Sequence, residues 1–141
     1  MKLKSTLATI VIFVFTSVHS FGQAPVKQWD ADFGGSENEQ LSAVQQTKDG
    51  GYILAGYTAS VDGDVSKNHG LRDVWIIKLN SKGKVQWEKS LGGSGNDWAL
   101  SVVQSPDEGY VITSQSDSRD GDVHDNHGDM DYWVVKLKPG K

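Results

Sequence analysis

The chain contains one stretch of sequence written twice, and this internal repeat limits the fold more than any single motif does. When residues 28–79 are set over residues 86–137, 58 positions further on, no gap is needed and 23 of the 52 positions are identical. The polar loop DGDVSKNHG, which begins at Asp62, returns as DGDVHDNHG, which begins at Asp120. The sequence therefore predicts two copies of one structural unit.

Each unit has the residue pattern of short β-strands. The segment GYILAGYT follows a Gly-containing turn and is rich in β-branched and aromatic residues, and DVWIIKLN is almost continuously apolar, as a strand covered on both faces should be. The segment KVQWEKSL alternates between apolar and polar residues, and no amphipathic helix is indicated after residue 25. The predicted strands are residues 41–47, 52–58, 73–79 and 84–91 in the first unit, and residues 99–105, 110–116 and 131–137 in the second.

This pattern predicts an all-β protein of two tandem, four-stranded, antiparallel sheets that resemble propeller blades. The repeat does not begin with the first strand of a unit. Residues 26–33 match the fourth strand of a unit and come before the first complete unit. Two blades do not close a ring, and the last sheet would keep an unpaired edge. Three arrangements follow: several copies that each lend residues 26–33 to the next, a piece of a longer protein, or an open pair of units.

The first residues have the layout of a secretory signal peptide. Lys2 and Lys4 precede the apolar run TLATIVIFVFTSV, and small residues follow it. The run is shorter than the roughly 20 apolar residues of a spanning helix, so a membrane anchor is the weaker interpretation. We therefore expect a signal peptide at residues 1–22, a first unit with its leading strand at 23–83, and a second unit at 84–141.

The composition limits the classes of partner. The formal charge is −4, and it becomes −6 when Lys2 and Lys4 leave with the signal peptide. Nucleic acid is a poor partner for such a chain, because its phosphates require a basic face. The chain has no cysteine, so an exported form relies on packing alone. We expect a protein that is secreted or held at the cell surface or in the periplasm, with no membrane span after signal cleavage.

The combined motifs resemble a known repeat. GGSGND, DGGYI, DGDV followed by NHG, and a later DxW and KL are similar to a repeat found in secreted and surface proteins of Bacteroidota. Those proteins are described as β-propeller repeat proteins and often carry a type IX secretion sorting domain. The resemblance covers residues 27–138 and implies the fold and export. It implies no catalytic activity, and this chain shows two repeats and no sorting domain.

The repeated loop has the oxygen-bearing residues of a calcium site. Hard cations such as Ca²⁺ take several oxygen ligands from one flexible loop, and Asp at loop positions 1 and 3 is typical of them. The candidate ligands are Asp62, Asp64, Asn68 and Asp73 in the first copy, and Asp120, Asp122, Asn126 and Asp131 in the second. The match to an EF-hand is poor, because Lys67 or Asp125 stands where that loop needs Gly. Ordinary turn chemistry, in which Asp and Asn bind their own backbone, is the alternative.

One aromatic residue lies outside the repeat. Trp98 is matched by Gln40, whereas the other tryptophans after the signal peptide recur at unit spacing, which indicates packing between blades. Trp98 with Asn96 and Asp97 is a candidate sugar-stacking site.

No catalytic residue is predicted, because the repeated His69 and His127 lack the partners of a triad or a zinc site. We expect a non-catalytic protein that is structural, adhesive or ligand-binding and has a protein or glycan partner. The alternatives are a calcium-stabilised module, a glycan-binding module and a fragment of a larger propeller-scaffold enzyme. The unpaired sheet edges also indicate a homo-oligomer.

Overall fold

A computed structural model describes residues 22–140, so the predicted signal peptide at residues 1–22 lies outside the described part apart from Gly22. The described residues contain seven β-strands and no helix, and the all-β prediction is confirmed. The strands are β1 (Glu39–Gln46), β2 (Tyr52–Thr58), β3 (Asp73–Leu79), β4 (Val85–Leu91), β5 (Asp97–Gln104), β6 (Tyr110–Ser116) and β7 (Asp131–Leu137).

The strands form two antiparallel sheets. Sheet 1 has the order β1-β2-β3-β4 and sheet 2 has the order β5-β6-β7, and neither sheet closes on itself. The seven strands predicted from the sequence are thus all formed, four in sheet 1 and, among the described residues, three in sheet 2.

The two sheets pair their strands in the same register. Gln46 lies opposite Tyr52 in sheet 1, and Gln104 lies opposite Tyr110 in sheet 2, 58 positions further on. The first strand of each sheet also has an irregularity at matched positions, between Leu41 and Ala43 in β1 and between Ala99 and Ser101 in β5. Sequence positions 58 apart therefore occupy the same places in the two sheets.

The prediction of a strand at residues 26–33 is wrong for this structure, in which residues 22–35 form no regular element. A strand needs the backbone of a neighbour, and no described strand runs beside this segment. The segment is held by its side chains. Trp29 packs edge-on against Tyr52, with ring centroids 5.6 Å apart and an interplanar angle of 65°. Phe33 packs against Trp75, Ile77 and their neighbours.

The core lies on both faces of sheet 1. Every residue of β3 is buried, as its continuous apolar sequence predicts. One face contributes Ile53, Ala55, Val74 and Ile76 to a cluster that includes residues of sheet 2. The opposite face contributes Trp75, Ile77 and Leu79 to a second cluster. Sheet 1 is thus the central layer, with sheet 2 on one face and residues 29–33 on the other.

Backbone and amide hydrogen bonds join the two sheets at both ends of this junction. The Asp97 N–H donates to the Arg72 carbonyl oxygen at 2.7 Å, just before β3 and at the start of β5. At the other end the Gln104 N–H donates to Gln45 Oε1 at 2.6 Å, and the Lys48 N–H donates to Gln104 Oε1 at 2.9 Å. These bonds fix the position of sheet 2 on sheet 1.

The junction core can be tested at Ile76, which is fully buried between the sheets. Ile76→Ala removes apolar contacts and leaves a cavity, so we expect it to lower the free energy of unfolding by about 2–4 kcal/mol. Leu71→Ala removes the same number of carbon atoms from a side chain that is 63% exposed. We expect that control to cost less than about 0.5 kcal/mol. Urea denaturation measures both, and equal losses would contradict the assigned core.

Candidate functional site

The repeated DGD sequences bind the GGS turns that precede β1 and β5. In the first unit Asp62 Oδ1 accepts a hydrogen bond from the Ser36 N–H at 2.7 Å, and Asp64 Oδ2 accepts one from the Gly34 N–H at 3.1 Å. The second unit repeats both contacts, since the Ser94 N–H donates to Asp120 Oδ1 at 2.6 Å and the Gly92 N–H donates to Asp122 Oδ2 at 3.2 Å. The hydrogen bond from the Ser94 N–H is the main cause that holds the pKa of Asp120 below its usual range.

The backbone completes this contact. The Asp64 N–H donates to the Gly34 carbonyl oxygen at 2.9 Å, and the Asp122 N–H donates to the Gly92 carbonyl oxygen at 2.8 Å. The glycine between the two aspartates has a positive φ in each unit, 66° at Gly63 and 65° in the second copy, and this conformation is costly for other residues. We call this repeated contact between the DGD sequence and the GGS turn the DGD clip.

The NHG sequence forms a second local structure. Asn68 Oδ1 accepts from the Gly70 N–H at 2.8 Å, while its amide donates to the Thr58 carbonyl oxygen at 3.4 Å. Asn126 makes the same pair of contacts, with Gly128 at 2.9 Å and Ser116 at 2.8 Å. Asn therefore caps its own turn and ties the turn to the end of the second strand of its sheet.

The aspartate at the start of β3 and β7 closes the same turn. Asp73 Oδ2 accepts from the His69 N–H at 2.9 Å and also pairs with the His69 ring, and Asp131 Oδ2 accepts from the His127 N–H at 2.6 Å. Asp73 is fully buried, and this burial raises the pKa of its carboxyl group, whereas the hydrogen bonds from His69 oppose the rise.

The eight predicted calcium ligands are thus divided between the DGD clip and the NHG turn. Among residues 22–140 no group of three or more His, Cys, Asp or Glu side chains is arranged to hold a metal ion. The second loop does bring Asp122, Asn126 and Asp131 to the wall of one cleft of about 470 Å³, which His124 and Tyr132 also line. The calcium site stays a prediction.

The three candidate glycan residues are not presented together. Asp97 is fully buried, with Oδ2 accepting from the Gly93 N–H at 2.9 Å and from Ser118 Oγ at 2.8 Å. Asn96 donates to Asp117 through both its backbone and its side chain, and Trp98 is half-buried on β5. Asp97 is therefore a structural residue at the junction, and the sugar-stacking role of Trp98 stays a prediction.

The ion pair between the buried Lys78 and the half-exposed Asp49 was not predicted from the sequence. Lys78 is almost completely buried in sheet 1, and its Nζ donates to Asp49 Oδ2 at 2.8 Å, to Gln86 Oε1 at 2.9 Å and to the Leu79 carbonyl oxygen at 2.9 Å. Lys136 and Asp107 form the matched pair in sheet 2, where both side chains are more exposed than Lys78. The signal was present in the sequence, because an aspartate and a lysine recur together at the unit spacing.

Lys78 holds the pKa of Asp49 well below its usual range, chiefly through their hydrogen bonds. A carboxylate with a lowered pKa adds stability above its unfolded pKa of about 3.9, and this stability is lost as the pH falls toward the lower folded pKa.

The Lys78–Asp49 pair generates a prediction with a matched control. Asp49→Asn removes the counter-charge of a buried ammonium group, and we expect a loss of about 1–2 kcal/mol near neutral pH, after allowance for solvent around the half-exposed carboxylate. The loss should shrink as the pH falls below about 4. Asp107→Asn should cost less, because Lys136 stays in contact with water. Denaturation curves at several pH values measure both, and a pH-independent loss at Asp49 would contradict the charge pairing.

A second candidate binding surface is apolar and lies on the face of sheet 1 opposite to sheet 2. We call this surface, a cleft of about 500 Å³, the leading face. Sheet 1 lines it with the large apolar side chains Leu41, Val44, Tyr52, Leu54, Trp75, Ile77 and Leu79, and Trp29, Ala31, Asp32 and Phe33 also line it. Within this face the Trp75 indole N–H donates to Glu88 Oε2 at 2.8 Å, which orients the ring.

The positions of the leading face have counterparts in sheet 2 that lie at the junction with sheet 1. The residues 58 positions further on are Ala99, Val102, Tyr110 and Ile112, which are buried in the cluster shared with sheet 1, and Trp133, Val135 and Leu137, which are partly buried and pack against it. Leu41 and Val44 are 57% and 59% exposed, whereas their counterparts Ala99 and Val102 are 0% and 4% exposed. The leading face therefore has the residue layout of a face that is elsewhere covered by another sheet.

Comparison with known proteins adds no family or relative, because no protein-family model and no curated protein matches this chain. Within the described part of the chain, no helix has the length and apolar character needed to cross a lipid bilayer.

Proposed function

We propose that this chain is an exported, non-catalytic β-sheet repeat protein whose units are propeller-type blades, related to the repeats of Bacteroidota surface proteins. Its role is structural or adhesive. The sheet faces stack unit upon unit, and the loops between the second and third strands of each unit meet a protein or glycan partner. The signal-like first residues support export, and the matched registers of the two sheets support one repeated unit.

The observation that carries the proposal is the leading face. This face is partly covered, because Trp75, Ile77 and Leu79 are buried together with Phe33, whereas Leu41 and Val44 are 57% and 59% exposed. Exposed apolar side chains that adjoin a cleft are typical of an interaction surface. The same residue layout packs against another sheet where sheet 2 meets sheet 1. A face that is partly open in the first unit and packs against a sheet in the second supports a protein built by adding units.

The loops support the second half of the proposal. The residues that are identical in the two loops form the DGD clip and the NHG turn. The residues that differ between the two loops are therefore free to contact a partner. Ser66 and Lys67 in the first loop and His124 and Asp125 in the second are all exposed. One loop thus presents a hydroxyl and a positive charge and the other presents an imidazole and a negative charge, on the same supporting backbone.

A third unit tests the stacking role directly. A second copy of residues 80–137 joined after Leu137 continues the spacing of 58 residues and supplies a fourth strand to sheet 2. We expect this longer chain to unfold in a single transition, at a higher midpoint and with a larger denaturant dependence, because each added unit contributes an interface.

The matched control is the same longer chain with Tyr132→Lys and Val134→Lys in sheet 2. These two side chains are 86% and 62% exposed in the present structure. The substitutions should therefore disturb the packing of the third unit and leave the first two units unchanged. Two separate transitions in the longer chain, the first of them at the original midpoint, would contradict the stacking role.

A calcium-stabilised module is the second candidate, and the cleft beside Asp122, Asn126 and Asp131 is the observation that favours it. A ligand that binds only the folded chain must raise its melting temperature. A rise with calcium that chelator reverses, and that Asp122→Ala removes, would support this candidate. Equal melting temperatures in calcium and chelator would leave the aspartates with their role in the DGD clip alone.

A further inference from the structure

The outer face of sheet 2 is the counterpart of the sheet 1 face that is buried in the junction. We call it the trailing face, and it consists of Val111, Thr113, Tyr132 and Val134, which occupy the positions of Ile53, Ala55, Val74 and Ile76. Val74 and Ile76 are fully buried, whereas Tyr132 and Val134 are 86% and 62% exposed. Within residues 22–140 the counterparts of both halves of the internal junction are therefore present, a partly covered leading face on sheet 1 and an exposed trailing face on sheet 2.

We infer that the trailing face of one copy of this chain packs into the leading face of a second copy, and that residues 27–33 of the second copy add to β7 of the first as a fourth strand. This inference rests on the proposed function, since it names the partner of the stacking surface. The internal junction of sheets 1 and 2 supplies the geometry, because the same positions would meet in the same order.

Residues 29–33 already occupy the place that a donated strand requires. Trp29 packs edge-on against Tyr52 at 5.6 Å and 65°, and Trp87 of β4 packs edge-on against Tyr110 at 5.8 Å and 61°. The GGS turns that follow make the same DGD clip on the two sheets. The segment therefore lies against sheet 1 as β4 lies against sheet 2, and it lacks only a strand beside it.

The structure also gives the register of the added strand. In sheet 1, Val74 lies opposite Leu91, Ile76 opposite Lys89 and Lys78 opposite Trp87. A shift of 58 positions places Tyr132 opposite Phe33, Val134 opposite Ala31 and Lys136 opposite Trp29 of the second copy. Strand addition of this kind supplies backbone hydrogen bonds to an open edge, and among the described strands β7 pairs only with β6.

The far end of the chain has a matching unfilled surface. Gly70 lies against Gly93 and Ser94 of the following GGS turn, whereas its counterpart Gly128 has no described atom near the position of a Cβ. The side chain of His69 is 17% exposed and that of His127 is 88% exposed. The second NHG turn thus leaves open the place where the GGS turn at Gly34 of another copy would sit.

Three hydrogen bonds of the internal junction do not recur between copies. They join Gln45 and Lys48 to Gln104 and Pro106, and the second unit has Val103 and Pro106 in place of Gln45 and Lys48. Apolar packing and the added strand therefore have to hold the copies together. The contact is head-to-tail, so it generates a ring when the rotation closes and an open chain of copies when it does not.

The mass of the chain in solution tests the inference. We expect light scattering after gel filtration to give at least twice the single-chain mass, and the mass should rise with concentration. Tyr132→Lys places a charge in the packed face and should return the single-chain mass. The control Val61→Lys alters a side chain that is 73% exposed in the first loop, where the second unit carries Arg119, and it should leave the assembly intact.

Disulfide trapping tests the register, and the absence of native cysteine makes it unambiguous. Cα atoms of opposed residues in antiparallel strands lie about 4.5–5.5 Å apart, within the range of a disulfide. The variant Ala31→Cys with Val134→Cys should form disulfide-linked chains, whereas Asp32→Cys with Val134→Cys, one residue out of register, should not. Trapping of neither pair, or of both equally, overturns the inferred strand addition.

A folded chain of single-chain mass at every concentration overturns the assembly and assigns the two faces to a different protein. The stacking function is judged separately, because the longer chain with a third unit carries both faces in one molecule. Failure of that chain to unfold as one unit removes the proposed function and this inference together.

Discussion

The burial of both faces of sheet 1 is the constraint on which the rest of the structure depends. β3 is buried along its whole length, and its apolar residues Val74–Ile77 and Leu79 require cover on both faces of the sheet. Sheet 2 covers one face, and Trp29 and Phe33 with their neighbours partly cover the other. Sheet 2 repeats the layout of sheet 1. It covers one face of sheet 1, and its own outer face stays exposed.

The conspicuous polar motifs serve this packing. The DGD clip fixes the GGS turn, and the turn sets where the following strand enters its sheet. The NHG turn and the aspartate after it set the start of the third strand in the same way. In the first unit this aspartate, Asp73, is fully buried and lies beside Gly92 of the second unit, whereas its counterpart Asp131 is 36% exposed. The polar loops therefore position the strands, and the apolar faces of these strands pack the units together.

Much of this arrangement could be predicted from the sequence. The alternation and β-branched content of the segments gave the strands to within two residues, and the spacing of 58 gave the correspondence between the sheets. The strand at residues 26–33 was wrong because its pattern reports the side chains, while a strand also needs a neighbour that the described residues do not provide. The burial of Asp97 could not be foreseen, since it depends on Ser118 and on the distance between two sheets. The pairing of Lys78 with Asp49 could have been found from the joint recurrence of the two residues.

Hydrogen exchange of the β7 backbone amides can show whether one sheet-to-sheet interface is used both between the two units of one chain and between copies of the chain. The amides of β3 are covered by β4 and by both apolar clusters, and they serve as an internal reference for full protection. We expect the protection of residues 132–137 to rise toward that of β3 as the protein concentration increases, and Tyr132→Lys to abolish the rise. Protection of β7 that stays low and independent of concentration would contradict this expectation.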